Sequence, residues 1–270
     1  MSKIIQLNKK KHLDYNLHKS SNYLFSQKDN ICPIIMAEIS HVLQQAPIVF
    51  VKNGADEFGL YMLQGFIDQT NNFCNKKGNW LGTYVPARYR QYPFSAIVPS
   101  GEKNLNVFFD QDSKLISKNK TKQSIPLFNE KGELTEHIKN VMSFLIGIES
   151  GKKRTQEIVT AIERYSLLEP WNVKVKTQDK EIEVKGLWTI NKKNLTDLTA
   201  KGLADLHKLN AFELIYAHFF SLGKLQNVGN LTTRQTDNNV KSLKDRAIDK
   251  QKEKVDKEVD SLVKNLLDGD

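Results

Sequence analysis

The order of hydrophobic and polar positions predicts strands in the first half of the chain. Residues 46–51 are a compact β-branched run, which is typical of a buried strand. The patterns over 60–66 and 105–110 predict two further strands. Residues 33–45 carry a mixed apolar pattern that suits a short helix.

Two packed helices are predicted next, the first beginning near Thr135. Apolar residues recur at helical spacing over 138–146 and again over 158–165. Ser150 and Gly151 lie between the two runs and are predicted to separate them.

The following segments alternate between strand and helix patterns. Residues 173–176 and 181–184 place valines and isoleucine on one face and charges on the other, which predicts a β-hairpin. Asn210 with Glu213 three residues later resembles a capping box, so a helix is predicted over 211–225.

These elements predict an α+β fold. It has a mixed or antiparallel sheet in the N-terminal half, helices and a hairpin in the C-terminal half, and a charged helical tail. One domain is expected over 1–230, with a basic arm at 1–28, followed by the tail over 231–270. Apolar residues seven apart predict an amphipathic helix over 240–267, through which copies of the chain could associate.

The net charge of +9 in 270 residues is concentrated near the start of the chain. Residues 1–28 hold six lysines and one aspartate, whereas 234–270 hold nine basic and nine acidic residues. The basic arm either attracts an anionic partner or only keeps the protein solvated. Nucleic acid is not the expected partner, because no nucleic-acid-binding module signature accompanies the basic residues.

Composition and the N-terminal residues indicate the cellular compartment in which the protein is expected. No apolar run approaches the roughly 20 residues of a membrane helix, and 39% hydrophobic with 26% charged residues is typical of a soluble globular protein. The first residues lack the apolar stretch of a classical secretory signal, so none is expected. The lone cysteines, Cys32 and Cys74, predict no disulfide. We therefore expect a cytoplasmic protein, or a surface protein only if it is exported without such a signal.

Familiar catalytic sites are not indicated. No phosphate-binding loop, dinucleotide fingerprint, zinc-protease motif or nucleophile elbow is present, so no cofactor is predicted. The histidines lack metal-ligand spacing, so no metal is predicted either. His218 lies in an apolar helical pattern, where it is either an acid or base or a core histidine with a satisfied hydrogen bond.

The block over 78–94 is dense in aromatic residues, prolines and arginines, which favours edge strands and ordered turns over helix. In a strand, alternation would place Arg88, Arg90 and Tyr92 on one side, where they could grip a carboxylate or phosphate. Arginines that only solvate a sheet face would give the same pattern. The predicted ligand- or partner-binding face consists of Trp80, Tyr84, Arg88, Arg90 and Tyr92.

Several segments together resemble the SapC family of bacterial proteins. The block W-x3-Y-x-P-A-x2-R-x-Y-P-F carries the resemblance, preceded by an acidic residue and a Pro-hydrophobic-Val-Phe strand. The matching positions are Glu38, 47–50, 63–66, 78–94, 127–132 and 215–222. The resemblance covers about residues 10–230 and leaves the charged tail outside the family pattern.

The resemblance implies a role beside bacterial surface proteins. The family is named for a protein linked to a paracrystalline surface layer, and its relatives look like companions of peptide- or protein-modifying oxygenases and halogenases. We expect a non-catalytic accessory or binding protein with a protein partner, either a surface protein or a modifying enzyme. The alternatives are a peptide- or protein-modifying enzyme with Glu38 or Asp110 as acid or base, and a structural surface-layer component.

Overall fold

A computed structural model gives the fold, which is described for residues 3–98, 105–176 and 181–231. Its α-helices are α1 (Lys9–His12), α2 (Ile39–Val42), α3 (Ala87–Arg90), α4 (Glu136–Arg164), α5 (Lys192–Thr196), α6 (Ala200–Lys208) and α7 (Ala211–Ser221). Its strands are β1 (Ile4–Gln6), β2 (Asn16–Leu17), β3 (Ile31–Pro33), β4 (Ile48–Lys52), β5 (Phe58–Leu63), β6 (Phe94–Ile97), β7 (Asn106–Asp110), β8 (Ile116–Ser117), β9 (Ile125–Pro126), β10 (Leu168–Lys176) and β11 (Glu181–Ile190). Short 3-10 helices occupy Leu24–Ser26, Met36–Glu38, Gln111–Ser113 and Leu222–Lys224.

The strands form three antiparallel sheets, so the predicted α+β class is confirmed. The largest sheet has the order β10-β11-β4-β5-β3, and the smaller sheets have the orders β1-β7-β6 and β8-β2-β9. The basic N-terminal segment is part of this framework, because β1 pairs with β7 and β2 pairs with both β8 and β9. Met1–Gly229 forms one compact unit. The helix predicted over 240–267 lies outside the described residues.

The predicted hairpin is confirmed and is longer than its pattern indicated. Val173 faces Val184 and Val175 faces Ile182, so the apolar residues lie on one face as predicted. The pairing then continues to Leu168 beside Ile190, after an irregularity between Trp171 and Val173. The hairpin also joins the N-terminal strands in one sheet, because β11 pairs with β4.

The prediction of two helices around Ser150 and Gly151 is wrong, because α4 is continuous from Glu136 to Arg164. A Cβ atom at Gly151 would lie 2.5 Å from Cδ1 of Ile35, so this glycine allows close packing rather than a helix break. The Thr155 hydroxyl, one turn later, accepts a hydrogen bond of 2.9 Å from the Met36 backbone N–H. The long helix therefore holds the 35–38 segment in place.

The predicted capping box at Asn210 is also wrong, although the helix that follows it is real. Asn210 adopts a left-handed conformation, with φ of 56°, and its side chain makes no capping hydrogen bond. Its N–H instead bonds to the His207 carbonyl at 3.0 Å, at the end of α6. Asparagine tolerates this conformation better than most residues, so Asn210 serves the turn between two helices.

His218 is a core histidine that joins α7 to the large sheet. Its side chain is fully buried, and Nδ1 donates to the Ile48 carbonyl at 2.7 Å. Nε2 accepts from the Ile190 N–H at 3.3 Å and from the Thr189 hydroxyl at 2.8 Å. Since Nε2 is the acceptor, the neutral Nδ1–H tautomer is the form that satisfies every partner.

The burial of His218 predicts a specific loss of stability in mild acid. Burial lowers its pKa to about 4. Because the unfolded chain takes up this proton near pH 6.5 and the folded chain does not, stability is present above pH 6.5 and declines as pH falls to 4. The expected contribution is about 3 kcal/mol.

Urea unfolding of the wild type between pH 7 and pH 4 measures this decline. His218→Gln should reduce the pH dependence of the free energy of unfolding by the amount that uptake of about one proton causes. The substitution His207→Gln, at an exposed position, should leave that pH dependence unchanged. Proton NMR titration of the wild type checks the same pKa without any substitution. An imidazole of His218 that titrates near pH 6.5 would contradict this account.

Candidate functional site

The aromatic and arginine block contains a helical turn where a strand was predicted. Ala87–Arg90 forms α3, and only Phe94–Ile97 of the region is a strand. Pro86 precedes the turn, where its missing N–H costs nothing. The expectation that Arg88 and Arg90 lie on one side is therefore wrong, because residues two apart on a helix do not face each other.

Glu38 is the buried acceptor that holds this turn in place. Its side chain is 3% exposed, and Oε1 accepts from the Ala87 N–H at 2.7 Å and from the Tyr84 hydroxyl at 3.0 Å. Oε2 accepts from the Ile35 N–H at 3.0 Å. A buried carboxylate is stable only when donors satisfy it, and these donors come from segments far apart in sequence.

Arg90 extends this network outward. Its Nη2 donates to the Tyr84 hydroxyl at 2.8 Å, and its guanidinium lies 5.1 Å from the ring centroids of both Tyr84 and Phe144. The His41 ring stacks on Tyr84 with centroids 4.8 Å apart. Burial, with the adjacent Glu38 charge, raises the pKa of Tyr84 to about 12, so the phenol keeps its proton and donates to Glu38.

The backbone around Tyr84 is held by Gln45, a residue that no motif or pattern had identified. The Gln45 Nε2 donates to the Tyr84 carbonyl at 2.8 Å, and its Oε1 accepts from the Tyr84 N–H at 3.1 Å. The Trp80 indole also donates to the Tyr84 carbonyl, at 2.9 Å. Trp80 is half-buried and packs against the rings of Phe73 and Tyr89.

A cleft of about 450 Å³ lies on the other side of α3. Arg88 lines it and is exposed, and no hydrogen bond or ion pair engages its guanidinium within residues 3–98, 105–176 and 181–231. The other cleft residues used below are Phe25, Asp29, Tyr89, Tyr92 and Asp110. The cleft therefore combines aromatic and acidic walls with an uncommitted cation, meaning a guanidinium that no hydrogen bond or ion pair engages in the described residues.

The aromatic wall is a stacked pair. The rings of Phe25 and Tyr92 lie 4.0 Å apart at 20°, and Phe25 is 39% exposed. The Tyr92 hydroxyl donates to Oδ2 of Asp110 at 3.0 Å, and Asp110 Oδ1 accepts from the Asp112 N–H at 3.0 Å. Burial, with the Asp110 hydrogen bond, raises the pKa of Tyr92 to about 12.

Asp29 is the second carboxylate of the cleft. It accepts from the Tyr89 hydroxyl at 3.1 Å, and that hydroxyl also lies 2.8 Å from Oε1 of the buried Gln64. Burial raises the pKa of Asp29, although the Tyr89 hydrogen bond and the Arg88 charge both lower it. Partial desolvation therefore outweighs a nearby arginine at this position.

The structure divides the predicted site residues into three places. Arg88, Tyr92 and Asp110 line the cleft. Glu38, Tyr84, Arg90 and Trp80 belong to the internal network that supports α3. His218 contacts the large sheet instead and does not line the cleft.

Two cleft residues were not found from the sequence. Phe25 lies in a 3-10 helix within the segment interpreted as a basic arm, and Asp29 follows directly after that segment. Neither belongs to a periodic pattern or a motif, so no local signal distinguishes them. They become site residues only because the chain folds back beside Tyr89 and Tyr92.

Comparison with known families assigns the chain to one of them. The SapC family model matches residues 7–228, which include α3, the Glu38 network and the cleft residues named above. The chain belongs to the SapC family. No curated protein and no solved structure matches the chain.

Two further features concern metal binding and the crossing of a membrane. Within the part of the chain that the structure describes, no group of three or more His, Cys, Asp or Glu side chains is placed to hold a metal ion. None of the helices in that part is long and apolar enough to cross a membrane.

Proposed function

We propose that this SapC-family protein is a non-catalytic accessory or binding protein in the biogenesis or modification of a bacterial surface protein. It recognises its partner through the cleft beside α3. The family resemblance supports the surface-protein context, because the family is named for a protein linked to a bacterial surface layer. The cleft supports recognition as the activity.

The uncommitted Arg88 is the observation that carries this proposal. Arg90 and Arg88 are both exposed, but Arg90 donates to Tyr84 and lies over the Phe144 ring, whereas no hydrogen bond or ion pair engages Arg88 in the described residues. A guanidinium in a partly enclosed site forms strong bidentate bonds with carboxylates. The partner would therefore present an acidic side chain beside an apolar or aromatic group that packs on Phe25 and Tyr92.

The size and shape of the site fit a segment of another protein. A volume of about 450 Å³ accommodates one or two side chains, and the cleft is open to solvent along one side. Aromatic residues and arginine are also the residues that most often dominate protein interfaces. The cleft thus has the composition of a small binding hot spot.

Quantitative affinity capture from native cells tests this function. The wild type should retain a surface protein or a modifying enzyme, and Arg88→Ala should lose it. Arg164→Ala, which removes an exposed arginine at the end of α4, is the matched control and should retain it. Equal capture by the wild type and Arg88→Ala would reject the cleft as the recognition site.

One observation favours a peptide- or protein-modifying enzyme as the second candidate. Asp29 and Asp110 line the same cleft, and the pKa of Asp29 is raised, a feature common among catalytic acids. Under this function, mass spectrometry of the captured partner would find a covalent change that Asp29→Asn abolishes while binding is kept. Under the binding function, the partner's mass stays unchanged.

A further inference from the structure

We propose that a second cavity, separate from the cleft, binds a phosphate-class oxyanion. This cavity has a volume of about 310 Å³ and lies next to the β8-β2-β9 sheet. Lys114, Lys118, Gln111, Asn119 and Tyr15 contribute to its lining. The proposal is independent of the binding function proposed for the cleft.

The charge of the cavity is uniformly positive. Lys114 and Lys118 line it, and no aspartate or glutamate does. Neither lysine forms an ion pair within 4 Å in the described ranges 3–98, 105–176 and 181–231, where the ion pairs involve other lysines and one arginine. Two ammonium groups that line one cavity without a paired carboxylate attract an anion, and a bound oxyanion would balance their charge.

The fold adds further cations around the same opening. β2 and β8 pair antiparallel with Leu17 opposite Ile116, and the His18 N–H extends the pairing by donating to the Leu115 carbonyl at 2.8 Å, next to Lys114 in the chain. Lys120 and Lys122 follow in the same exposed loop as Lys118. The sequence from Lys114 to Lys122 contains four lysines and no acidic residue, so this segment of the cavity wall is basic.

Two contacts position Lys118 and the start of the loop that contains it. The Lys118 ammonium lies 5.9 Å from the centroid of the Tyr15 ring, which keeps its stem against the sheet. The Ser117 hydroxyl lies 3.0 Å from Nε2 of His18 and accepts from the Asn119 N–H at 3.2 Å. The loop is thus anchored to β2 rather than held only by its own turn.

The two carboxylates that flank Gln111 in the chain accept hydrogen bonds from other groups. Asp110 accepts from Tyr92 and from the Asp112 N–H, and Asp112 Oδ2 accepts from the Lys3 N–H at 2.9 Å. The side-chain amides of Gln111 and Asn119 line the cavity and are able to donate to an oxyanion. The volume suits a single phosphate group with a small carrier, such as a glycerol moiety.

Binding measurements with the full chain test the site and distinguish two sources of the phosphate group. Inorganic phosphate and glycerol 1-phosphate are titrated by isothermal calorimetry, and vesicles of phosphatidylglycerol are compared with vesicles of phosphatidylcholine by sedimentation. The paired variant Lys114→Gln/Lys118→Gln should bind the phosphate probe at least about tenfold more weakly than the wild type. Each substitution removes one charged contact to the oxyanion, and the two losses of affinity combine. Lys201→Gln/Lys208→Gln, which changes two exposed lysines of α6, should match the wild type.

Saturable binding of the soluble phosphates that depends on Lys114 and Lys118 supports a free-phosphate site. Binding that appears only with phosphatidylglycerol vesicles, with the same dependence, supports a lipid headgroup. Absence of saturable wild-type binding to every probe overturns the proposal, as does an equal loss in the α6 control variant. Circular dichroism of each variant confirms that the fold is intact before binding is compared.

Discussion

Replacing Glu38 by glutamine should lower the free energy of unfolding by about 3 kcal/mol. The carboxylate accepts from the Ile35 N–H, the Ala87 N–H and the Tyr84 hydroxyl, and none of these donors has another acceptor in the network. Glutamine keeps the size of the side chain but presents an NH₂ group to one of these donors. A buried donor without an acceptor costs about 1–3 kcal/mol, and the neutral amide also weakens the bonds that remain.

Urea unfolding at pH 7 measures this effect, and Glu163→Gln is its matched control. Glu163 is an exposed residue in the last turn of α4, so its replacement should change the free energy of unfolding by less than about 0.5 kcal/mol. A loss for Glu38→Gln that is no larger than that of the control would mean that the internal network does not hold α3. Because the free energy of unfolding of a native protein is typically about 5–15 kcal/mol, a loss of about 3 kcal/mol is a large and readily measured fraction of it.

The second large effect separates two arginines that lie two residues apart. Arg88→Ala should weaken partner binding by about 30-fold or more, as expected for a hot-spot arginine, and should leave stability nearly unchanged. Arg90→Ala should do the opposite. It loses the hydrogen bond to Tyr84 and the contacts with the Tyr84 and Phe144 rings, so we expect a stability loss of about 1–2 kcal/mol.

Calorimetric titration of the captured partner, together with urea unfolding of both variants, tests this separation. At a temperature where both variants are fully folded, Arg90→Ala should bind within about threefold of the wild type. If Arg90→Ala loses as much affinity as Arg88→Ala, the two arginines act on one face, as a strand would have placed them. The helical turn of α3 would then not determine recognition.

Elements with a strong local pattern could be predicted from the sequence. The β-branched run at 46–51 contains most of β4, and the alternation over 173–184 predicted the hairpin of β10 and β11. These elements bury one regular face, so the pattern of burial and the pattern of sequence coincide. The α+β class followed from the same patterns.

The helical turn at Ala87–Arg90 could not be predicted from its own residues. Aromatic residues and prolines favour strands and turns on average, yet the Ala87 N–H is held by the Glu38 carboxylate, 49 positions earlier. Gly151 is similar, since its role depends on Ile35 from a distant segment rather than on helix propensity. Long-range contacts thus overruled the local preference at both places.

The candidate site was only partly accessible to sequence reasoning for the same reason. The family block contains Arg88 and Tyr92, which line the cleft. It also contains Trp80, Tyr84 and Arg90, which do not line the cleft but belong to the hydrogen-bond network that supports α3. Residues of one motif are close in sequence, but a short helical turn directs them to opposite sides. Phe25 and Asp29 reach the cleft through tertiary folding alone.

Site-specific photo-crosslinking in native cells tests most directly whether the cleft is the recognition surface. A photoreactive phenylalanine analogue replaces Phe25 at the cleft in one variant and Phe220 in the other. Phe220 is 72% exposed on α7 and does not line the cleft. We predict a discrete adduct with one surface protein or modifying enzyme from position 25, abolished by Arg88→Ala, and none from position 220. An adduct from position 220 alone, or one from position 25 that persists in Arg88→Ala, would contradict the account.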